Sequence, residues 1–115
     1  MTAVHGRIWL TCNERNFLGR GRIELLRHID ETGSIAKAAK IMKMSYKSAW
    51  DAVDAMNKSA GFLLVERTSG GRDGGGSKLT SGARRLIECF ERIEAEHKAF
   101  LEKLSEEVRQ SFDPS

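Results

Sequence analysis

The stretch Ser34–Ala52, with the sequence SIAKAAKIMKMSYKSAWDA, contains two helix starts in close succession. Ser34 precedes the run Ile35–Met42, and Ser45 precedes a longer run, Tyr46–Ser59. Serine favours the position just before a helix because its hydroxyl accepts a hydrogen bond from a free N–H group of the first turn. Only two residues separate Met42 from Ser45, so the sequence predicts two helices joined by a tight turn.

Elements on both sides of this pair complete a known order of helices and strands. Apolar residues recur at helical spacing before the pair, and two β-type runs flank Gly70–Gly76, which holds five glycines in seven residues. The flanking elements are a predicted strand over Gly6–Cys12, a helix over roughly Gly21–Glu31, strands over Phe62–Arg67 and Ser77–Thr80, and a final helix that is capped by Thr80 or Ser81 and extends as far as Phe112. The predicted fold class is therefore mainly α with a small β-hairpin: a winged helix-turn-helix plus a long C-terminal dimerisation helix.

The composition is that of one small globular domain. The chain has 115 residues, of which 40% are hydrophobic and 30% are charged. We expect residues 1–80 to form the winged helix-turn-helix and residues 81–115 to form a long helix and tail of the same structural unit. The sequence has no apolar run of membrane-spanning length and no signal core in Met1–Arg15, which predicts a cytoplasmic protein. Two distant cysteines favour neither a disulfide framework nor a zinc site.

The net charge of +3 is distributed unevenly along the chain. Residues 1–81 hold 13 lysines and arginines against 8 acidic residues, whereas residues 82–115 hold 6 against 8. The segment Thr32–Trp50 carries four lysines and no acidic residue. This asymmetry predicts that the first part of the chain meets a polyanion such as duplex DNA.

The predicted helix that starts at Tyr46 has an apolar face and a polar face. Its inward residues at helical spacing are Ala49, Val53, Met56 and Ala60, and its outward residues are Lys47, Asp51 and Asp54. Lys47 and the donors Ser45, Tyr46 and Ser48 lie at the helix start, which suits base and phosphate contacts. Asp51 is expected to pair with Lys47 rather than to accept from cytosine, and Trp50 to be half-buried rather than to contact a base.

The glycine-rich hairpin has two interpretations. As a wing tip, its glycines let the backbone approach a phosphodiester closely, with charge from Arg67, Arg72 and Lys78; otherwise it is a free solvent loop. A nucleotide-binding loop is disfavoured because Gly71–Lys78 lacks the required spacing and leads into a strand. The predicted DNA-binding residues are Ser34, Ser45, Tyr46, Lys47, Ser48, Arg67, Ser69, Gly71, Arg72 and Lys78.

The final predicted helix carries an apolar stripe at alternating steps of three and four residues. Such a stripe is the seam of a coiled coil, and it has more apolar length than a domain of this size can cover. The predicted dimerisation residues are Leu86, Phe90, Ile93, His97, Phe100 and Leu104. His97 is expected to be a core histidine rather than a ligand or a pH switch.

Enzyme chemistry finds no support in the sequence. The three histidines are scattered, Cys89 has no base near it in sequence, and the acidic residues do not form a metal-binding pattern. We therefore expect no enzyme activity, no metal and no cofactor.

Three motifs together resemble one family of proteins. Ser45–Ala52 (SYKSAWDA), Gly33–Ile35, and Leu64–Arg67 followed by the Gly70–Gly76 tip are similar to the DNA-binding part of ModE-type molybdate-responsive transcriptional regulators, whose winged helix is related to the LysR type. The resemblance covers roughly Arg22–Leu86. It implies a homodimeric regulator with its third helix in the major groove and its wing on the flanking backbone. Members of that family usually carry C-terminal molybdate-binding domains, which no residues of this chain match, so an oxyanion-sensing domain is expected to be absent from this chain.

Two functions remain open at this point. The first is a sequence-specific transcriptional regulator that binds a two-fold DNA site as a homodimer. The alternative is a helical dimerisation or adaptor module whose hairpin contacts another protein. The acid-free segment Thr32–Trp50 favours the regulator.

Overall fold

The computed structural model describes residues 1–68 and 76–112. Its elements in chain order are β1 (Leu10–Cys12), β2 (Arg15–Leu18), α1 (Arg20–Thr32), α2 (Ile35–Ile41), α3 (Tyr46–Ala60), β3 (Val65–Thr68), β4 (Gly76–Leu79) and α4 (Ser81–Phe112). β1 pairs with β2 and β3 pairs with β4, both antiparallel. The predicted helix-turn-helix, hairpin and long C-terminal helix are confirmed.

The chain forms two compact units. One consists of Trp9–Ile87, and the other consists of Met1–Ile8 with Glu88–Ser115. The first holds the helix-turn-helix and both hairpins, and the second holds most of α4 with the N-terminal residues. The division falls within α4.

The predicted strand Gly6–Cys12 is only partly correct. β1 starts at Leu10, and the chain then reverses at Asn13 and Glu14 into β2, a strand that the sequence analysis missed. Both turn residues adopt positive φ, 51° and 67°, a conformation typical of two-residue hairpin turns. Glycine is usual at the second position of such turns, so Glu14 concealed the hairpin.

Helix caps explain why the central pair was predictable. The hydroxyl of Ser34 accepts from the Lys37 N–H at 3.1 Å, and that of Ser45 accepts from the Ser48 N–H at 3.0 Å. Gly33, after α1, has φ of 70°, in the left-handed region where a glycine ends a helix without a steric penalty. These signals are local, so each helix start and end can be read within a few residues.

The core of the Trp9–Ile87 unit lies between the three short helices and the second hairpin. Ala38 and Ala39 on α2 are buried, and their small side chains let neighbouring helices approach closely. The other buried residues of the helices include Ile23, Leu25, Leu26 and Ile29 on α1 and Ala49, Val53 and Met56 on α3. Full burial of each larger aliphatic side chain contributes about 1.5–3 kcal/mol. Ala60, predicted to face inward, is half-buried at the last turn of α3.

The run Phe62–Arg67 forms a strand only in its second half, since β3 starts at Val65. Before it, the Asn57 side chain accepts from the Leu64 N–H at 2.7 Å, and the Thr80 hydroxyl donates to the Leu63 carbonyl at 2.8 Å. These tertiary hydrogen bonds occupy backbone groups that a longer strand would have used for pairing. Hydrophobicity alone therefore overestimated the strand.

In the other unit, the N-terminal segment Met1–Ile8 lies along α4. The Val4 N–H donates to the Ser105 hydroxyl at 2.8 Å, and Arg109 donates through Nε to the Thr2 carbonyl at 3.0 Å. A Cβ on Gly6 would lie 3.3 Å from the His97 ring. His97, Ser105 and Arg109 share one stripe of α4, so the segment covers one flank of the helix.

Candidate nucleic-acid interface

α3 presents a charged line opposite its buried face. At about 100° per residue, Lys47 and Asp51 point away from Ala49, Val53 and Met56. The side chains of Lys47 and Asp51 are 85% and 65% exposed, whereas the three apolar residues are buried. The predicted inward and outward faces of this helix are thus found, apart from the half-buried Ala60.

Lys47 and Asp51 form an ion pair along this outward line. Lys47 Nζ lies 2.8 Å from Asp51 Oδ2, which is the predicted pairing at a spacing of four residues. The hydrogen bond and the negative charge of Asp51 raise the pKa of Lys47 above its ordinary value. The ammonium group therefore remains charged at neutral pH.

The first turn of α3 carries exposed hydroxyl groups. The Ser45 hydroxyl donates to the Ser48 hydroxyl at 2.9 Å while it accepts from the Ser48 N–H. Tyr46 is 51% exposed, and Trp50 on the next turn is half-buried, as predicted. Lys47 and these hydroxyl groups supply several donors at one end of the helix.

A groove of about 340 Å³ lies beside this end of α3. Its lining residues are Thr32, Gly33, Ser34, Ile35, Ala36, Lys37, Tyr46, Arg67, Gly76 and Ser77. The groove brings together three predicted DNA-binding residues that are distant in sequence, namely Ser34, Tyr46 and Arg67. Two cations and several hydroxyl groups line it, a combination that suits a phosphate group.

Seven of the ten residues that line the groove were not selected by the sequence analysis, and Lys37 and Ser77 are two of them. Lys37 could have been found, because it belongs to the acid-free segment and lies three residues after the helix cap Ser34. Ser77 could not, because it joins the groove only through pairing of β4 with β3, where it lies opposite Arg67. Its N–H donates to the Gly33 carbonyl at 2.8 Å and thereby ties the hairpin to the end of α1.

The base of the wing is less basic than its sequence indicated. Lys78 is the register partner of Glu66, and their charged atoms lie 3.7 Å apart. This contact offsets part of the lysine charge, whereas the exposed Arg67 lines the groove. The predicted wing residues Ser69, Gly71 and Arg72 lie outside the described residues.

The predicted dimerisation stripe on α4 is unequally exposed. Phe90 is 0% exposed within the single chain, whereas Phe100 is 57% exposed. The remaining predicted members, Leu86, Ile93, His97 and Leu104, are half-buried. The outer half of the helix therefore keeps uncovered apolar surface.

Within residues 1–68 and 76–112, no helix is both long and apolar enough to cross a membrane. Nor do these residues contain a group of three or more histidine, cysteine or acidic side chains that could hold a metal ion.

Comparisons with known proteins agree with this geometry. Residues 21–84 match the family described as bacterial regulatory helix-turn-helix protein, lysR family. The chain is 42% identical over 112 residues to the molybdenum transport protein ModE of Azotobacter vinelandii, a match that covers 96% of this chain and 42% of that protein. It is 44% identical over 92 residues to the DNA-binding transcriptional dual regulator ModE of Escherichia coli K12, a match that covers 79% of this chain and 35% of that protein.

The fold has counterparts among solved structures. The crystal structure of the CbnR_DBD–DNA complex has a TM-score of 0.59 and 21% sequence identity, and the match covers 77% of this chain and 97% of that one. At this identity the likeness concerns the fold. The chain spans less than half the length of the two ModE relatives.

Proposed function

The chain belongs to the bacterial regulatory helix-turn-helix proteins of the lysR family, and from this premise we propose how it acts as a DNA-binding transcriptional regulator. One observation carries the proposal. At the N-terminal end of α3, Lys47 and the exposed side chains of Tyr46 and Ser48 lie beside the cationic groove. In helix-turn-helix proteins the second helix enters the major groove with its N-terminal residues on the base edges. α3 is the second helix of the helix-turn-helix in this fold.

The groove is proposed to hold a backbone phosphate next to the major groove. Lys37 and Arg67 would supply charge, and Ser34 and Tyr46 would donate hydrogen bonds to its oxygens. These contacts would fix the position of α3 on the duplex without reading sequence. The wing residues 69–75 and Lys78 are proposed to follow the flanking backbone.

A homodimer on a two-fold site is proposed for the assembly. The exposed ring of Phe100 and the half-buried Ile93 and Leu104 form apolar surface on one flank of α4, which a second copy of this helix would cover. Symmetric pairing would present two copies of α3 to successive turns of one face of the duplex. A protein that binds chromosomal DNA would be located in the cytoplasm, on the nucleoid.

The names of the relatives guide the proposal for the regulated genes. One of the two ModE relatives is named a molybdenum transport protein. We propose on this likeness that the chain regulates genes for molybdenum uptake or use. We predict that molybdate leaves the DNA affinity of these 115 residues unchanged.

The function is tested by measuring duplex binding at several salt concentrations. Lys37→Ala and Arg67→Ala should each weaken binding to all sequences alike and lower the slope of log K against log salt by about one, since each would remove one phosphate contact. Lys103→Ala, an exposed lysine on α4, serves as the control and should change neither quantity. An adaptor module would retain no duplex at any salt concentration, and that outcome would overturn the proposal.

A further inference from the structure

The outward line of α3 contains a carboxylate where a DNA-binding surface would be expected to be cationic. Asp51 is well exposed, and it lies one turn after Lys47, opposite the buried face. A carboxylate repels the phosphates of a duplex, so at this place it lowers affinity for DNA of every sequence. A favourable contribution of Asp51 to DNA binding would therefore come from a donor on a base edge.

We propose that the Lys47–Asp51 ion pair is the specificity-determining element of α3 and that it reads one G·C base pair in the major groove. This inference rests on the proposed function, because it requires α3 to lie in that groove. Lys47 would donate to guanine, and Asp51 would accept from the N4 amino group of cytosine.

The spacing within the ion pair matches the edge of a G·C pair. Guanine O6 and cytosine N4 are joined by a Watson–Crick hydrogen bond, so an acceptor and a donor lie side by side at about 2.9 Å. Lys47 Nζ and Asp51 Oδ2 present a donor and an acceptor side by side at 2.8 Å. The two edges can therefore meet with the ammonium group at O6 and the carboxylate at N4, while the ion pair stays intact.

The neighbouring atoms distinguish G·C from A·T. In G·C, guanine N7 lies beside O6, so a lysine ammonium group meets two adjacent acceptors. In A·T, the thymine O4 acceptor is flanked by the C5-methyl group, which would remove water from the ammonium group without accepting a hydrogen bond. The pair should consequently favour G·C.

A second ion pair on the same helix provides an internal comparison. Asp54 Oδ2 lies 3.0 Å from Lys58 Nζ, and this pair continues the outward line towards the C-terminal end of α3. Its chemistry is the same, but bases are read mainly from the N-terminal part of such helices. We therefore expect this second pair to have no effect on base preference.

The experiment selects bound duplexes from a random pool with the wild-type chain and with Lys47→Ala, Asp51→Asn and Asp54→Asn. The wild type should enrich G·C at one position of each half-site. Asp51→Asn is nearly isosteric, and an amide can pair with adenine N6 and N7, so the preference at that position should move towards A·T. The G·C-to-A·T affinity ratio should fall by about 5- to 150-fold in Asp51→Asn and in Lys47→Ala.

The outcomes separate this inference from the proposed function. Failure of DNA binding itself would appear as a wild-type chain that enriches no duplex. The base-reading inference would be overturned by a wild type that enriches a site whose preferences Lys47→Ala and Asp51→Asn leave unchanged. It would also be overturned if Asp54→Asn changed the same base position as Asp51→Asn. Circular dichroism and the melting temperature should match the wild type, because all three side chains are largely exposed or half-exposed.

Discussion

At the residue scale, Gly76 joins the second hairpin to the end of α1. A Cβ at this position would lie 2.6 Å from the carbonyl oxygen of Gly33, a backbone atom that cannot rotate away. The adjacent Ser77 N–H donates to the same oxygen at 2.8 Å. From sequence, Gly76 belonged only to a glycine-rich tip, because nothing local links it to Gly33. The glycine requirement is tertiary, and only the fold reveals it.

Gly76→Ala should therefore destabilise the chain. The added methyl group must displace β4 and lengthen the Ser77–Gly33 hydrogen bond, and overpacking of this kind costs about 1–3 kcal/mol. Denaturant unfolding measures the free-energy difference. Gly21→Ala is the matched control, because its Cβ would meet no atom within 4 Å and alanine favours a helix. Equal stability of Gly76→Ala and the wild type would show that β4 adjusts without cost.

At the element scale, local signals decided what the sequence could predict. The helix pair was found because the hydroxyl groups of Ser34 and Ser45 accept from N–H groups only three residues further along the chain. The β1–β2 hairpin was missed because Glu14 occupies a turn position that usually holds glycine. The α3 surface followed from periodicity, whereas the groove required pairing of distant segments. The position of Met1–Ile8 along α4 was likewise missed, since no residue pattern in either segment indicates that the two are in contact.

One contact between the N-terminal segment and α4 is made by a buried hydroxyl group, that of Ser105. Ser105 accepts from the Val4 N–H and donates to the Leu101 carbonyl at 2.7 Å. Ser105→Ala should leave the Val4 N–H without its partner, at a cost of about 1 kcal/mol or more. Hydrogen exchange at the Val4 amide should then be at least several-fold faster. Ser111→Ala is the control, because Ser111 also donates to a carbonyl one turn earlier but is exposed.

The opening expected in Ser105→Ala is local rather than global. The segment Met1–Ile8 should detach from α4 while the Trp9–Ile87 unit retains its exchange protection. Unchanged protection of the Val4 amide in Ser105→Ala would mean that other contacts hold the segment. Equal acceleration in Ser111→Ala would point to a general loosening of α4.

At the scale of the whole molecule, one flank of α4 is covered by another segment of the chain and the other flank is exposed. The stripe through His97, Ser105 and Arg109 is covered by the chain's own N-terminal segment, and the flank with Phe100 is left open. The predicted seam could not anticipate this division, because periodicity identifies apolar positions but not what covers them. Phe90 is already buried in the single chain, so a substitution there would test folding as well as assembly.

Phe100→Asp tests the proposed dimer without that ambiguity. Its ring is already largely exposed, so a carboxylate there should leave the single chain folded, whereas burial of that carboxylate between two copies would cost several kcal/mol. We expect the variant to sediment as a monomer at micromolar concentration and to bind a two-half-site duplex no more tightly than a single half-site. Ala99→Asp, at an exposed position about 100° around α4 from Phe100, should remain dimeric and bind as the wild type does. A dimeric Phe100→Asp chain with full operator affinity would move the interface away from this flank, because no association that buries Phe100 could accept an unpaired charge there.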